Sequence, residues 1–329
     1  MIKIFPNVPT LKFIVAPEHA DQRIDVFLAA QTKKSRTVVQ EQLKNNRVSL
    51  NSRPLTKHSI RLQTGDEVSI NFLEEEHPSL EPVEGPLNII FEDEHLLVIN
   101  KEQGVVVHPA AGHRGDTLVH HLLHYLGESH SFVASTSVRP GIVHRLDKGT
   151  SGVLLVAKTR YVQDALSHQF KEREVKKEYE SLVWGKILRE GVLKNPIGRD
   201  RVHRQKMSSK TSQGRSAETR FRPVEIFQSF THLMVFPLTG RTHQIRVHLS
   251  EFGHSIVGDP TYGKGLTAKR SDEISAAIKE SLLNLEHPFL HAHKLTFTHP
   301  VSKQVLQFEA PRPKTFDNVL DLLRKENSL

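Results

Sequence analysis

The apolar residues near the start of the chain fall at helical spacing. Ile24, Phe27 and Leu28 stand at i, i+3 and i+4, which predicts a short amphipathic helix. Ser35 is a suitable N-cap for a second helix that gathers Val38, Val39 and Leu43 on one face and ends at Asn45 and Asn46. Residues 47–51 then alternate as a strand, and Thr64, Gly65 and Asp66 form a turn before a second strand at 67–72. From residue 88 onward the pattern is mixed. It predicts strands at 96–100, 153–157, 178–184, 218–227 and 231–237, and helices at 117–126, 160–171, 242–252 and 315–325. Strands that follow strands predict an α+β fold with a mixed, largely antiparallel sheet, not a repeating βαβ unit. The expected division is an N-terminal extension at 1–20, a small α-β module at 21–73, a linker at 74–87 and a large domain at 88–329.

Charge sharpens this division. The 329-residue chain carries a net charge of +8 and a pI near 9.5, which suits a polyanionic partner. Residues 21–61 hold nine Lys/Arg against three acids, and residues 199–222 hold eight against two. Ser208, Ser209, Thr211, Ser212 and Gly214 lie within the second group, so its first part reads as a flexible basic loop. The stretch 73–86 is the reverse, with five acids, no Lys or Arg and three prolines, and reads as a linker. The absence of cysteine excludes disulfides, thiolate nucleophiles and thiolate metal sites, and fits a cytoplasmic protein. No apolar run approaches membrane-span length and no signal-peptide pattern opens the chain, so no membrane role is expected. Histidines are numerous, and His120 with His124 has the i, i+4 spacing of zinc ligands. No carboxylate or cysteine completes the set nearby and H-E-x-x-H is absent, so no metal is expected either.

The candidate chemistry lies in G-I-V-H-R-L-D-K-G-T-S-G-V-L-L-V-A-K-T, residues 141–159. Asp147 follows an arginine and precedes a Gly/Thr/Ser-rich turn, after which 153–157 reads as a buried strand. Spacing alone leaves two readings. Asp147 either caps the turn by binding N–H groups at Gly149 or Thr150, or is a reactive carboxylate held rigidly within reach of a substrate.

This string resembles the H-R-L-D signature of the RluA-type RNA pseudouridine synthases, in which the aspartate is the catalytic residue. Further strings resemble that family in its order: 91–101, 172–185, 195–200, L-T-G-R-T-H-Q-I-R-V-H at 238–248, and G-H-S-I-V-G-D-P-T-Y-G at 253–263. Two departures stand out. Lys101-Glu102-Gln103-Gly104 replaces the usual K-P-A-G, and Lys206-Met207-Ser208-Ser209 replaces a Lys-Met-Ala-Val string.

The resemblance implies an enzyme that breaks the bond from ribose C1′ to uracil N1, turns the base and joins C1′ to C5. No atoms are gained or lost, so no cofactor is implied. It implies Asp147 as the reactive carboxylate and Arg241 as its partner, in preference to the phosphate or helix-cap contact that Arg241 read alone would suggest. It implies that Tyr179 packs on the target uracil, whereas by pattern alone Tyr179 is a core residue. Ile245 becomes a wall of the base pocket, and Arg145 fills the space left by a flipped nucleotide. His144, Arg199 and Lys206 are also placed at the substrate.

The N-terminal module resembles an S4 RNA-binding domain, with Arg36, Lys44, Arg47 and Arg53 placed to meet phosphates. The combination is similar to the RluD/RluC-like members that act on 23S rRNA, so the expected partner is 23S rRNA or the large ribosomal subunit, met by a monomer. The competing readings are a synthase acting on tRNA, an inactive S4-type RNA-binding protein, and a metal-dependent hydrolase acting on nucleic acid.

Overall fold

The computed structural model describes residues 10–72, 80–109, 116–127, 140–203, 206–211 and 213–327. The chain divides into two units, Met1–Ser79 and Leu80–Leu329. The first unit contains β1 (Thr10–Ile14), α1 (Ile24–Thr32), α2 (Arg36–Lys44), β2 (Val48–Leu50), β3 (Arg53–Leu55) and β4 (Glu67–Asn71). Its strands form an antiparallel sheet in the order β1-β4-β2-β3. The helical spacing is used as expected: Ile24, Phe27, Leu28, Val39 and Leu43 are all buried in one cluster with Val48, Val68 and Ile70. Ser35 caps α2 by accepting from the Val38 N–H. Residues 10–20 do not form an extension. Thr10 to Ile14 pair with Asn71 to Glu67, so β1 is an edge strand of this sheet.

The second unit runs β5 (Ile89–Glu92), β6 (Leu96–Lys101), α3 (Leu118–Leu126), β7 (Ser151–Ala157), α4 (Arg160–Glu172), β8 (Lys176–Trp184), β9 (Gly191–Leu193), β10 (Gly198–Arg199), β11 (Met207–Ser208), β12 (Thr219–Ile226) and β13 (Phe230–Pro237). It continues with α5 (Gln244–Glu251), α6 (Ala268–Asp272), α7 (Ala276–Leu283), β14 (Leu290–Thr298), β15 (Val305–Glu309) and α8 (Lys314–Asn327). The main sheet has the order β5-β6-β7-β14-β8-β13-β12-β9, with β15 added to β14. Every pairing is antiparallel except β7 with β14, so the fold is α+β with a mixed, largely antiparallel sheet.

Two expectations need correction. The acidic stretch is not a free linker up to residue 87: the Val83 N–H donates to the His120 carbonyl at 3.2 Å, and Leu87 packs on the cluster around Leu97 and Leu122. Residues 74–79 lie outside the described residues. In addition, the central strand β14 was not predicted. Its sequence L-H-A-H-K-L-T-F-T places histidines where a buried strand normally carries aliphatics. His291 is nevertheless fully buried, because Ser151 Oγ lies 2.9 Å from its Nδ1 and the Ala310 carbonyl 3.0 Å from its Nε2.

The β7–β14 pairing is what opens the sheet. It lasts only through His291↔Ser151 and Ala292↔Gly152, after which β14 leaves β7 and takes β15 as its neighbour. Gly152 has φ +114°, and a Cβ there would stand 2.2 Å from the Ala292 carbonyl oxygen, so only glycine allows this approach. The loop that carries Asp147 ends where this close pairing begins. On the far side of β14, Tyr179 of β8 pairs with Ala292, while the next residue, Glu180, binds His232 at 2.9 Å and Arg312 at 3.0 Å. Consecutive residues of a strand face opposite sides of the sheet.

Candidate active site

The Asp147 loop is pinned from its N-terminal neighbours in space. Lys101, at the end of β6, is 2 % exposed and donates to the carbonyls of Glu102, Val105 and Lys148 at 2.7, 2.9 and 3.3 Å. Burial pulls its ammonium down to about 7, against the opposing charges of Asp147 and Glu102. Gln103, one of the departures from the family string, donates to the Gly149 and Pro288 carbonyls at 2.9 and 3.1 Å. The turn itself closes through the Asp147 carbonyl, which accepts from the Thr150 N–H at 3.0 Å. That task falls to the backbone, and the carboxylate turns toward α5.

Facing it is Arg246, whose Nη1 lies 3.3 Å from Asp147 Oδ2. The same guanidinium makes a two-point bond to Asp259, Nε to Oδ2 at 2.8 Å and Nη2 to Oδ1 at 2.9 Å. Asp259 in turn accepts the N–H groups of Thr261 and Tyr262. Burial works against the charge of Arg246, but the bonds to Asp259 and the two carboxylates outweigh it and keep its pKa raised. Burial would likewise raise Asp259, and its bonds from Arg246 bring it below the ordinary carboxylate range. Asp259 therefore fixes the guanidinium, and the guanidinium presents a permanent charge to Asp147.

Arg241 does not meet Asp147. Its Nε donates to the Ser216 carbonyl at 3.1 Å and its backbone N–H to Gln244 Oε1. The physical reason is local. Gln244 is buried and bridges Thr239, Arg241, Glu218 and Thr219, which holds residues 239–241 as a turn before α5. Arg246 lies within the first turns of the helix and so points to the carboxylate.

A cavity of about 530 Å³ opens over Asp147 and Arg246. Among its described lining residues Asp147 is the sole carboxylate, set among Arg145, Lys171, Arg173, Lys177, Arg215 and Arg241. Tyr179 and Ile245 also line it. Burial and then the charge of Asp147 push the Tyr179 hydroxyl up, so it stays protonated at physiological pH. A pocket whose described lining sets one carboxylate among several cations suits a polyanionic partner.

The RNA pseudouridylate synthase family pattern matches residues 95–251, which include the whole Asp147–Arg246 pair. An uncharacterized RNA pseudouridine synthase of Chlorobaculum parvum is 39% identical over 316 residues, covering 94% of this chain and 96% of that one. The chain belongs to the RNA pseudouridine synthase family. Similar to the synthase as well is the ribosomal large subunit pseudouridine synthase D of Nitrosomonas europaea, 38% identical over 320 residues, with 97% of this chain and 89% of that one covered. Among solved structures, the human RNA pseudouridylate synthase domain containing 1 aligns with TM-score 0.52 and 26% identity, over 75% of this chain and 96% of its own.

Other expected residues of the synthase fall in different places. Arg145 is exposed at the rim of the cavity. His144 lines the cavity but is held by the fold: its Nε2 accepts the Leu155 N–H at 2.9 Å, and its ring stacks on Phe170 at 4.6 Å. Burial takes this imidazole down to about 3, so it is a neutral acceptor. Arg199 and Lys206 are not among the cavity-lining residues; they belong to the β10–β11 hairpin region, where the Asp200 N–H donates to the Lys206 carbonyl. His120 closes the N-terminus of α3, its Nδ1 accepting from the Thr117 N–H at 3.0 Å. His248 Nε2 meets the Asn195 carbonyl at 2.8 Å. Among the described residues no group of three His, Asp or Glu side chains is arranged to hold a metal ion. No described helix is long and apolar enough to cross a membrane.

In the N-terminal unit, the charge of Arg36 is engaged at home. Its Nη2 lies 2.8 Å from fully buried Asp25, which also binds Arg23 and Gln40. Burial opposes the Asp25 charge, but these bonds outweigh it and hold the carboxyl at about 2. Arg47 donates to Gln42, whereas Lys44 and Arg53 are exposed.

Lys177 gives a pH test of the cavity's electrostatics. It donates to the Thr239 carbonyl at 3.2 Å, and burial, aided by Arg173, lowers it from 10.5 to about 8. A base whose folded pKa is depressed binds fewer protons in the folded state between the two values, so stability rises as pH climbs through that window. Lys177→Met is expected to be more stable than the wild type at pH 7 by about 1–3 kcal/mol in denaturant titrations, allowing for solvent screening. The difference should vanish above pH 10.5. Equal stability at pH 7 would mean that the ammonium is well hydrated in the cavity.

Proposed function

We propose that Asp147 is the catalytic carboxylate of this synthase and that its substrate is 23S rRNA. The carrying observation is the one carboxylate among the described cavity-lining residues, paired at 3.3 Å with an arginine that a buried aspartate anchors. The N1–C1′ bond breaks as Asp147 acts on the ribose, the uracil turns within the cavity, and C5 joins C1′. The C5 proton leaves and N1 gains one, so the product is an isomer of the substrate. Arg246 sets a permanent positive charge beside Asp147 and holds the carboxylate in place. Tyr179, held protonated, packs on the base and does not act as the base that removes the C5 proton. Ile245 forms an apolar wall of the pocket, and exposed Arg145 takes the place of the flipped nucleotide. Arg173, Lys177, Arg215 and Arg241 meet phosphates around the entrance.

The first unit we read as an S4-like RNA-binding module, in which exposed Lys44 and Arg53 contact phosphate while Arg36 serves the fold. The large-subunit substrate is supported by the Nitrosomonas relative, a ribosomal large subunit pseudouridine synthase D that is covered along 89% of its length. The synthase acts as a cytoplasmic monomer.

Tritium release from RNA carrying [5-³H]uridine tests the substrate. Wild-type protein is expected to release tritium from 23S rRNA transcript or from 50S subunits, and not from bulk tRNA. Release from tRNA alone would replace the ribosomal reading with a tRNA synthase.

A further inference from the structure

His243 is the N-cap of α5 and adopts the left-handed backbone, φ +54°, a conformation uncommon for a residue with a Cβ. That backbone puts the imidazole between two partners. Its Nε2 is 3.9 Å from Asp147 Oδ2, and its Nδ1 is 2.7 Å from the Tyr262 hydroxyl. The Met207 backbone N–H donates to that same hydroxyl oxygen at 2.8 Å. A peptide N–H can only donate, so the phenol accepts there and its own proton is directed to His243 Nδ1. An imidazole that accepts at Nδ1 carries its proton on Nε2, the nitrogen that faces Asp147. Tyr262 is itself held in place: Asp259 accepts its backbone N–H, and the Arg246 guanidinium lies over its ring at 5.0 Å.

We propose that Tyr262 fixes His243 in its Nε2–H tautomer, making His243 a positioning residue that donates to Asp147 Oδ2 when RNA closes the site. The inference rests on Asp147 being the catalytic carboxylate. Arg246 approaches the same oxygen, so Oδ1 is the one left to act on the ribose. The 3.9 Å separation in the free protein shortens to a hydrogen bond once substrate excludes water, as such contacts do. The groups facing the imidazole agree with a neutral ring. Burial lowers its pKa, with Arg246 and Arg145 adding to that effect, against Asp147 and Asp259, which favour the charged form.

The test combines a spectrum with kinetics on the full chain. Nitrogen-15 NMR of histidine-labelled protein, with the His243 signal assigned by its loss in His243→Gln, should show Nε2–H in the wild type. In Tyr262→Phe that tautomer should be lost or mixed. In single-turnover tritium release, Tyr262→Phe and His243→Leu should lower the rate by roughly ten- to a hundred-fold at unchanged KM, the range for a hydrogen bond to a charged group. His243→Gln, whose amide N–H reaches the same oxygen, should recover part of the loss. An Nδ1–H wild type, a Tyr262→Phe enzyme with unchanged tautomer and rate, or a loss confined to KM would overturn the proposal. Turnover by Asp147→Asn would instead overturn the catalytic reading, and the tautomer would still report on Tyr262 by itself.

Discussion

Asp147→Asn will leave the synthase folded and bound to RNA while its turnover falls by more than about a thousand-fold, the scale for removing a nucleophile or essential base. The substitution is isosteric, and the amide oxygen can still accept from Arg246, so the turn and α5 keep their places. The Thr150 N–H is unaffected because it donates to the backbone carbonyl of residue 147, not to the side chain. RNA affinity is expected to hold or to tighten slightly, since a negative charge is removed from a cavity that meets a polyanion. Tritium release and a filter-binding isotherm on the same RNA separate the two effects. A large affinity loss with partial turnover would make Asp147 a structural residue.

Arg246→Met carries the second large effect, and it strikes stability and turnover together. The Asp259 side chain is fully buried, and its two-point bond to Arg246 is the main support of its charge. Removing one member of a buried pair costs about 3–5 kcal/mol, which lowers the melting temperature of a domain this size by roughly 6–20 °C. Turnover should fall as well, because Asp147 loses the guanidinium that holds it in place. The pH dependence identifies the cause. In the wild type Asp259 is held below its ordinary value, so its contribution is present above the unfolded pKa and is lost as pH falls through the folded one. In Arg246→Met only the Thr261 and Tyr262 N–H groups still oppose burial, so Asp259 shifts toward its neutral form and that variant loses less stability on acidification. The two melting curves should therefore converge as the pH is lowered toward 4. A constant gap across the range would place the effect in lost packing over Tyr262 instead. Arg246→Lys supplies the charge without the fork and should restore only part of the turnover.

The helices were legible where one face is buried and the other solvated. The periods at Ile24, Phe27, Leu28 and at Val39, Leu43 gave α1 and α2, and the predicted helix at 160–171 matches Arg160–Glu172 within a residue. Residues 153–157 were legible as a buried strand because β7 is covered on both faces. β14 was not, since its polar groups are satisfied by residues remote in sequence: buried His291 by Ser151 and Ala310, and the half-buried Thr298 backbone N–H by Gln169 Oε1. The acidic stretch misled for a related reason. Its glutamates describe a solvated segment, while Val83 and Leu87 between them attach residues 80–87 to the domain.

The site divides in the same way. A carboxylate on a tight turn ahead of a buried strand, a tyrosine in a later strand, and a basic surface are properties of local order, and local order is written along the chain. Which arginine serves Asp147 is not local. Arg241 and Arg246 lie in one motif five positions apart, and composition does not separate them. The choice falls to Arg246 because Gln244 ties the preceding turn away, α5 starts at 244, and Asp259 receives the guanidinium from beyond the helix. His243 and Tyr262 become partners of the site only through the same arrangement. The sequence by itself determined which candidate groups are present and the charge that surrounds them. The tertiary structure alone decided their pairing, because β14, drawn from the far end of the chain, wedges between β7 and β8 and sets the distance across which those groups face one another.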